Sequence, residues 1–238
     1  MSGFESRDWY YNEFQQVGLD YENTEVAENY DDEVGQGIAR SDEGRDIADA
    51  LGIKSTDSVL DIGTGTGIIA IDLSFICQNV YAIDISEPML KYASEDAKRQ
   101  GRNNVEFIKS GFLTYHHKGT PLDAIITKFA LHHIPDNWKF VAVKRMFDML
   151  KPGGKLFLKD CMISVEIQDF FDSVDYWVSS TREQAGDKPA EAVVLCIKDE
   201  YPIYTWVMEE MLKKVGFCID YANHMYGLHT TFICSKPV

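Results

Sequence analysis

The chain has 238 residues and a formal net charge of −15; residues 1–50 carry −11 of it, with 14 acidic side chains against Arg7, Arg40 and Arg45. That balance opposes binding to DNA or long RNA, which needs clustered lysine and arginine. No apolar run reaches the ~18 residues that span a bilayer, and the first residues lack the basic and apolar regions of a signal peptide.

Residues 4–36 are acidic and rich in aromatics (Trp9, Tyr10, Tyr11, Phe14, Tyr21, Tyr30). They are too aromatic for a disordered tail, and short helices docked on the main body are expected. Ile38, Ile47, Ala48 and Leu51 have helical spacing, and Gly52 suits a helix end. Strands and helices then alternate. Residues 59–62 read as a buried strand and 68–77 as a helix. Residues 80–84 form a second strand, followed by a helix that Ser86 caps and Pro88 opens. A third strand covers 105–108 and a fourth 122–127. After a helix around 137–150, Lys151-Pro152-Gly153-Gly154 turns into a fifth strand at 155–159.

Residues 164–200 break the rhythm with one or two helices, the second starting at Asp187 and Pro189. A helix over 205–215 closes at Gly216, and strands at 217–222 and 230–235 form a hairpin. Continuous apolar strands alternating with helices predict a parallel sheet covered on both faces, in one α/β domain.

The most informative stretch is Asp61-Ile62-Gly63-Thr64-Gly65-Thr66-Gly67, with glycine at every second position between a strand and a helix. Glycine there lets backbone approach a ligand closely. The spacing departs from the G-x-G-x-x-G of dinucleotide sites. Asp84, ending the second strand, sits where a carboxylate about 20 residues beyond such a turn accepts from ribose hydroxyls. At the end of the fourth strand lies Thr127-Lys128-Phe129-Ala130-Leu131-His132-His133, and Leu150-Lys151-Pro152-Gly153-Gly154 precedes the fifth.

Together with the segment Phe107-Ile108-Lys109-Ser110-Gly111-Phe112-Leu113 after the third strand, these features resemble the class I S-adenosylmethionine (SAM)-dependent methyltransferases. The resemblance implies a Rossmann-like α/β fold with a seven-stranded, mostly parallel sheet and an antiparallel last strand. Helices cover both faces, and helical lids stand at the N-terminus and after the fifth strand. Within one domain, 1–36 would be the N-terminal lid, 37–160 the SAM-binding half, 161–204 a helical insertion, and 205–238 the last helix and two strands. The resemblance assigns Tyr30, Asp61, Ile62, Gly63, Thr64, Gly65, Gly67, Asp84, Ile85, Gly111, Phe112 and Lys128 to the cofactor. Asp61 would orient the ligand's amino group, Ile85 would lie on the adenine face, and the Tyr30-Asp31 pair would close the pocket. Many relatives carry Gly-Asp where this chain has Ser110-Gly111, so the adenine-facing carboxylate is missing there.

The stretch ending in His132 and His133 resembles that of small-molecule methyltransferases and lacks the [DN]-P-P-[YF] pattern of enzymes acting on exocyclic amines. Either histidine is a candidate base, because imidazole titrates nearest neutrality. Tyr10, Tyr11, Phe129 and Trp177 are candidate walls of an acceptor site. Histidines lacking a nearby cysteine or carboxylate pattern give no metal site. Five cysteines without a C-x-x-C pair read as reduced thiols of a cytoplasmic protein. The leading expectation is transfer of a methyl group from SAM to a small molecule, without nucleic-acid or membrane partners. The alternatives are a SAM-binding regulatory or scaffold protein and a protein methyltransferase.

Overall fold

The computed structural model describes residues 7–15, 17, 18, 20–23, 30, 42–225 and 227–238. Helix α1 (Glu43–Leu51) ends at Gly52, whose φ of 67° forms the left-handed cap that glycine supplies without strain. Then come β1 (Ser58–Ile62), α2 (Ile68–Ser74), β2 (Asn79–Asp84), α3 (Glu87–Arg99), β3 (Val105–Lys109) and β4 (Leu122–Lys128). Ser86 caps α3 by accepting from Met89 N at 3.2 Å, with Pro88 in the first turn.

After a single 3-10 turn at Leu131–His133 follow α4 (Asp136–Met149), β5 (Leu150–Ile163), α5 (Phe170–Ala185), α6 (Asp187–Asp199), β6 (Ile203–Tyr204), α7 (Thr205–Val215), β7 (Cys218–Met225) and β8 (His229–Ser235).

The strands form one sheet in the order β3-β2-β1-β4-β5-β8-β7. Pairing from β3 through β5 is parallel, and β8 runs antiparallel between β5 and β7. Side chains alternate across the pleat. Leu60, Ile62, Ile125 and Leu158 pack with Met146, Met208 and Leu212 on one face. Val59, Ala82, Ile126 and Phe157 pack with Ile47, Leu51 and Leu73 on the other. Strand order reverses between β1 and β4, so a ligand crevice is expected beside their carboxyl ends.

Among the described residues the sheet has eight strands, one more than expected. The addition is two-residue β6, which pairs parallel with Met162 and Ile163. Strand β5 also runs beyond 155–159 at both ends: Leu150 pairs with Leu122 of β4 at its start, and Asp160 and Cys161 find partners on β8 near its end. Segments 7–15 and 20–23 are turns and extended chain, without the short helices expected there; contacts to the body hold them. Residues 1–6, 24–29 and 31–41, with the rest of the expected N-terminal helices and Asp31, lie outside the described residues. Among the described residues, no helix is long and apolar enough to cross a membrane.

Candidate active site

All three turn glycines have positive φ: Gly63 73°, Gly65 53° and Gly67 82°. Gly63 N and Thr64 N donate to Ile83 O at 2.9 and 3.0 Å, pinning the turn to the end of β2. The glycines differ in their surroundings. A Cβ at Gly63 would overlap the Ala130 side chain, and one at Gly67 would lie 2.6 Å from Ala93 Cβ. At Gly65 a Cβ would meet nothing within 4 Å. Gly65 therefore presents bare backbone to open space at the switch point of the sheet.

Two carboxylates flank the turn. Asp84 Oδ2 accepts from Gly65 N at 2.8 Å, and its Oδ1 from Ser86 N at 2.9 Å. Asp61 is 2% exposed and accepts from the Thr64 hydroxyl at 2.6 Å. Burial pushes its carboxyl up to about 7; the Asp84 charge adds to this, while Thr64 and Lys128 oppose it. The folded chain therefore holds a proton that the unfolded chain releases near pH 4. Stability should fall as pH rises from ~4 to ~7, by up to about 1.4 kcal/mol per pH unit, and this contribution should be level above that window. Urea unfolding across that range should show a shallower fall in Asp61→Asn than in the wild type. Equal slopes in the two would refute the assignment.

Gly111 and Phe112 are buried, and what covers Gly111 comes from the N-terminal segment. Glu13 is 5% exposed, and its carboxylate fills the space where a Cβ at Gly111 would stand. It accepts from Leu113 N at 2.9 Å, Thr114 N at 2.7 Å and the Thr114 hydroxyl at 2.7 Å. Burial raises its pKa, against the pull of those donors. A carboxylate from a remote part of the chain thus sits beside the position where the family resemblance leads one to expect an aspartate. The same segment crosses the carboxyl edge of the sheet. Ser86 Oγ donates to Tyr21 O at 2.6 Å, and the Tyr21 ring meets Tyr30 at 5.8 Å and His133 at 5.5 Å. Ile85 is half-buried beside Asp84.

At the end of β4 the Thr127 hydroxyl is the buried side-chain polar atom without a partner among the described residues. Lys128 gives its ammonium to Glu43 at 2.6 Å. Phe129 has φ 51°, a left-handed conformation that costs a non-glycine residue about 1 kcal/mol. Strain of this kind concentrates at functional sites.

His132 and His133 behave differently. The His132 ring is buried, with Nδ1 2.5 Å from Asp160 Oδ1 and Nε2 3.1 Å from Glu200 Oε2. Burial alone would lower its pKa, but the two carboxylates outweigh burial and hold it well above the usual imidazole value. Both ring nitrogens are engaged, so His132 shapes the loop and does not face an acceptor. Burial, with the His132 charge second, pushes His133 down to about 4. It is neutral at pH 7.

Phe129 and Trp177 are brought together by a residue that sequence reading passed over as part of a hairpin. His229, first in β8, meets the Phe129 ring edge-on at 5.2 Å and the Trp177 ring at 4.8 Å. Burial, then Lys159, pushes its pKa down to about 4. Tyr10 and Tyr11 pack elsewhere. Their rings meet Trp138 at 4.8 and 6.3 Å, and the Tyr10 hydroxyl donates to Leu113 O. Asp160, Glu200 and Glu13 carried no local sequence signal either; each matters through a partner far along the chain.

The comparisons with known proteins agree with this geometry. A family model described as a methyltransferase domain matches residues 59–154. An uncharacterised methyltransferase of Geobacillus sp. (strain WCH70) is 32% identical over 197 residues, covering 83% of this chain and 85% of that one. The chain belongs to the class I methyltransferases, the family whose methyl donor is SAM. Among solved structures, a SAM-dependent methyltransferase from Aquifex aeolicus superposes with a TM-score of 0.62 at 20% identity, covering 90% of this chain and 98% of that one. One from Clostridium acetobutylicum ATCC 824 gives 0.66 at 14%, covering 90% and 98%.

Proposed function

We propose that the protein transfers the SAM methyl group to a small molecule with an apolar or aromatic body. Bound SAM supplies a methyl carbon on a good leaving group, so the protein's task is alignment and exclusion of water. The residues of this chain fit that ligand. The Gly65 cradle accepts close approach, and Asp84 offers two acceptor oxygens to ribose hydroxyls. Asp61 holds a proton to release when a ligand ammonium arrives. Glu13 brings a carboxylate to the adenine side, and Tyr21 with Tyr30 covers the cleft from the N-terminal segment.

The observation that carries the choice of acceptor is the wall of Phe129, His229 and Trp177 at the carboxyl end of the sheet. Lys159, whose ammonium lies 5.5 Å from the Phe129 ring centre, adds a cation suited to an anionic group on the acceptor. Neutral His133 and His229 can accept a hydrogen bond from an acceptor hydroxyl or amine. Free thiols at all five cysteines support a reducing, cytoplasmic setting.

Calorimetric titration should show micromolar binding of SAM and of S-adenosylhomocysteine. Incubation with SAM and a panel of small aromatic and carboxylic acceptors should release S-adenosylhomocysteine. A folded protein that binds neither ligand sinks the reading. Release with protein substrates alone would move the acceptor to that class.

A further inference from the structure

A cluster behind the candidate active site joins residues that the adjacent histidines alone did not suggest. Cys161 near the end of β5, Cys196 on α6 and His132 of the 3-10 turn are all buried, and their sulfur and ring-nitrogen atoms lie within 4.8 Å of one another. Glu200 stands just past the end of α6, four residues after Cys196. Its Oε2 is 3.1 Å from His132 Nε2.

The other imidazole nitrogen is held from behind by Asp160. That carboxylate is fixed in turn by Leu131 N at 2.8 Å, His132 N at 3.2 Å and Cys161 N at 2.7 Å. A carboxylate orienting a histidine that lies beside two thiols and a second carboxylate is the arrangement found around protein-bound zinc.

We propose that His132 Nε2, Cys161 Sγ, Cys196 Sγ and a Glu200 oxygen form a closed, four-coordinate zinc site, with Asp160 orienting the histidine. Soft sulfur and imidazole ligands select zinc over magnesium or calcium. Binding replaces the protons on both thiols and on Nε2 with one divalent cation, and those protons go to solvent. The site leaves no open position for a water nucleophile, so its role is structural. It ties the β4 loop and the end of β5 to α6. Through Glu200 it also touches the N-terminal segment, where a Cβ at Gly18 would overlap the carboxylate.

The full chain, purified with reductant and dialysed, should retain about one zinc per molecule by elemental mass spectrometry. The metal-free chain should take up cobalt with a sulfur-to-cobalt charge-transfer band. Cys161→Ser/Cys196→Ser should lose the band while Cys234→Ser keeps it. Asp160→Asn should weaken zinc binding by roughly 10–100-fold. Should the double variant fail to fold, the wild type alone decides, since zinc should raise its Tm in a concentration-dependent way. Absence of retained zinc, cobalt band and Tm shift in folded wild type would overturn the site. So would a band that survives in the folded double variant, or a Cys161–Cys196 disulfide in the protein as isolated.

Discussion

Asp84→Ala is expected to weaken SAM binding by about 100-fold or more. A hydrogen bond to a charged acceptor contributes about 1.5–3 kcal/mol, and two ribose hydroxyls can share this carboxylate. Losing ~3 kcal/mol corresponds to about two decades in Kd. The substitution also releases Gly65 N and Ser86 N, which Asp84 holds at 2.8 and 2.9 Å. The glycine turn then keeps its bonds to Ile83 O but loses the one that holds Gly65. Asp84→Asn keeps one acceptor oxygen and should fall between, at roughly tenfold weaker binding. Titration calorimetry, with circular dichroism to confirm folding, reads both. An alanine variant that binds within a few-fold of wild type would remove Asp84 from the ligand.

The three glycines of the turn should separate into two kinds of mutant. Gly67→Ala places a methyl 2.6 Å from Ala93 Cβ at a φ of 82°. Overpacking costs about 1–3 kcal/mol, and the left-handed conformation adds about 1. The variant should lose about 2–4 kcal/mol in urea unfolding, a large share of a domain's stability. Gly65→Ala places its methyl in open space and meets only the φ cost, so it should fold with a loss of about 1 kcal/mol. Its defect should be in SAM affinity, lowered at least tenfold, since the methyl stands where the ligand's backbone approach is needed. Wild-type affinity in Gly65→Ala, or wild-type stability in Gly67→Ala, would contradict this division.

Much of the donor half was legible in the sequence because its signals are contiguous. A strand, three glycines and a helix start follow one another at 59–70, and Asp84-Ile85-Ser86 combines strand end and helix cap within three residues. The apolar runs of β1, β2 and β4 show their burial directly. Helix α7 declared both ends, from Thr205 to the left-handed Gly216. Strand β6 did not, since two residues carry no period, and the extra length of β5 depends on partners that only folding supplies.

The same limit applies to the candidate site. Glu13, Asp160, Glu200 and His229 look like ordinary surface or hairpin residues in the sequence. Each acquires its role by meeting Leu113, His132 or Phe129 across the fold. Phe129 and Trp177 could be picked out as aromatic, yet what joins them is His229. Tyr10 and Tyr11, chosen on the same grounds, pack against Trp138.

Strand β8 runs against its neighbours, and so it delivers its first residue, His229, to the edge where the parallel strands β4 and β5 deliver their last. A parallel strand in that place would leave the acceptor wall tied to a long crossover. Here its position depends on the short connection between Met225 and His229. Lengthening or shortening that connection would move His229 relative to Phe129 and Trp177, while the glycine turn and Asp84 lie on other strands. On the acceptor wall proposed above, changes in the hairpin would alter the acceptor side without touching the residues proposed to hold SAM.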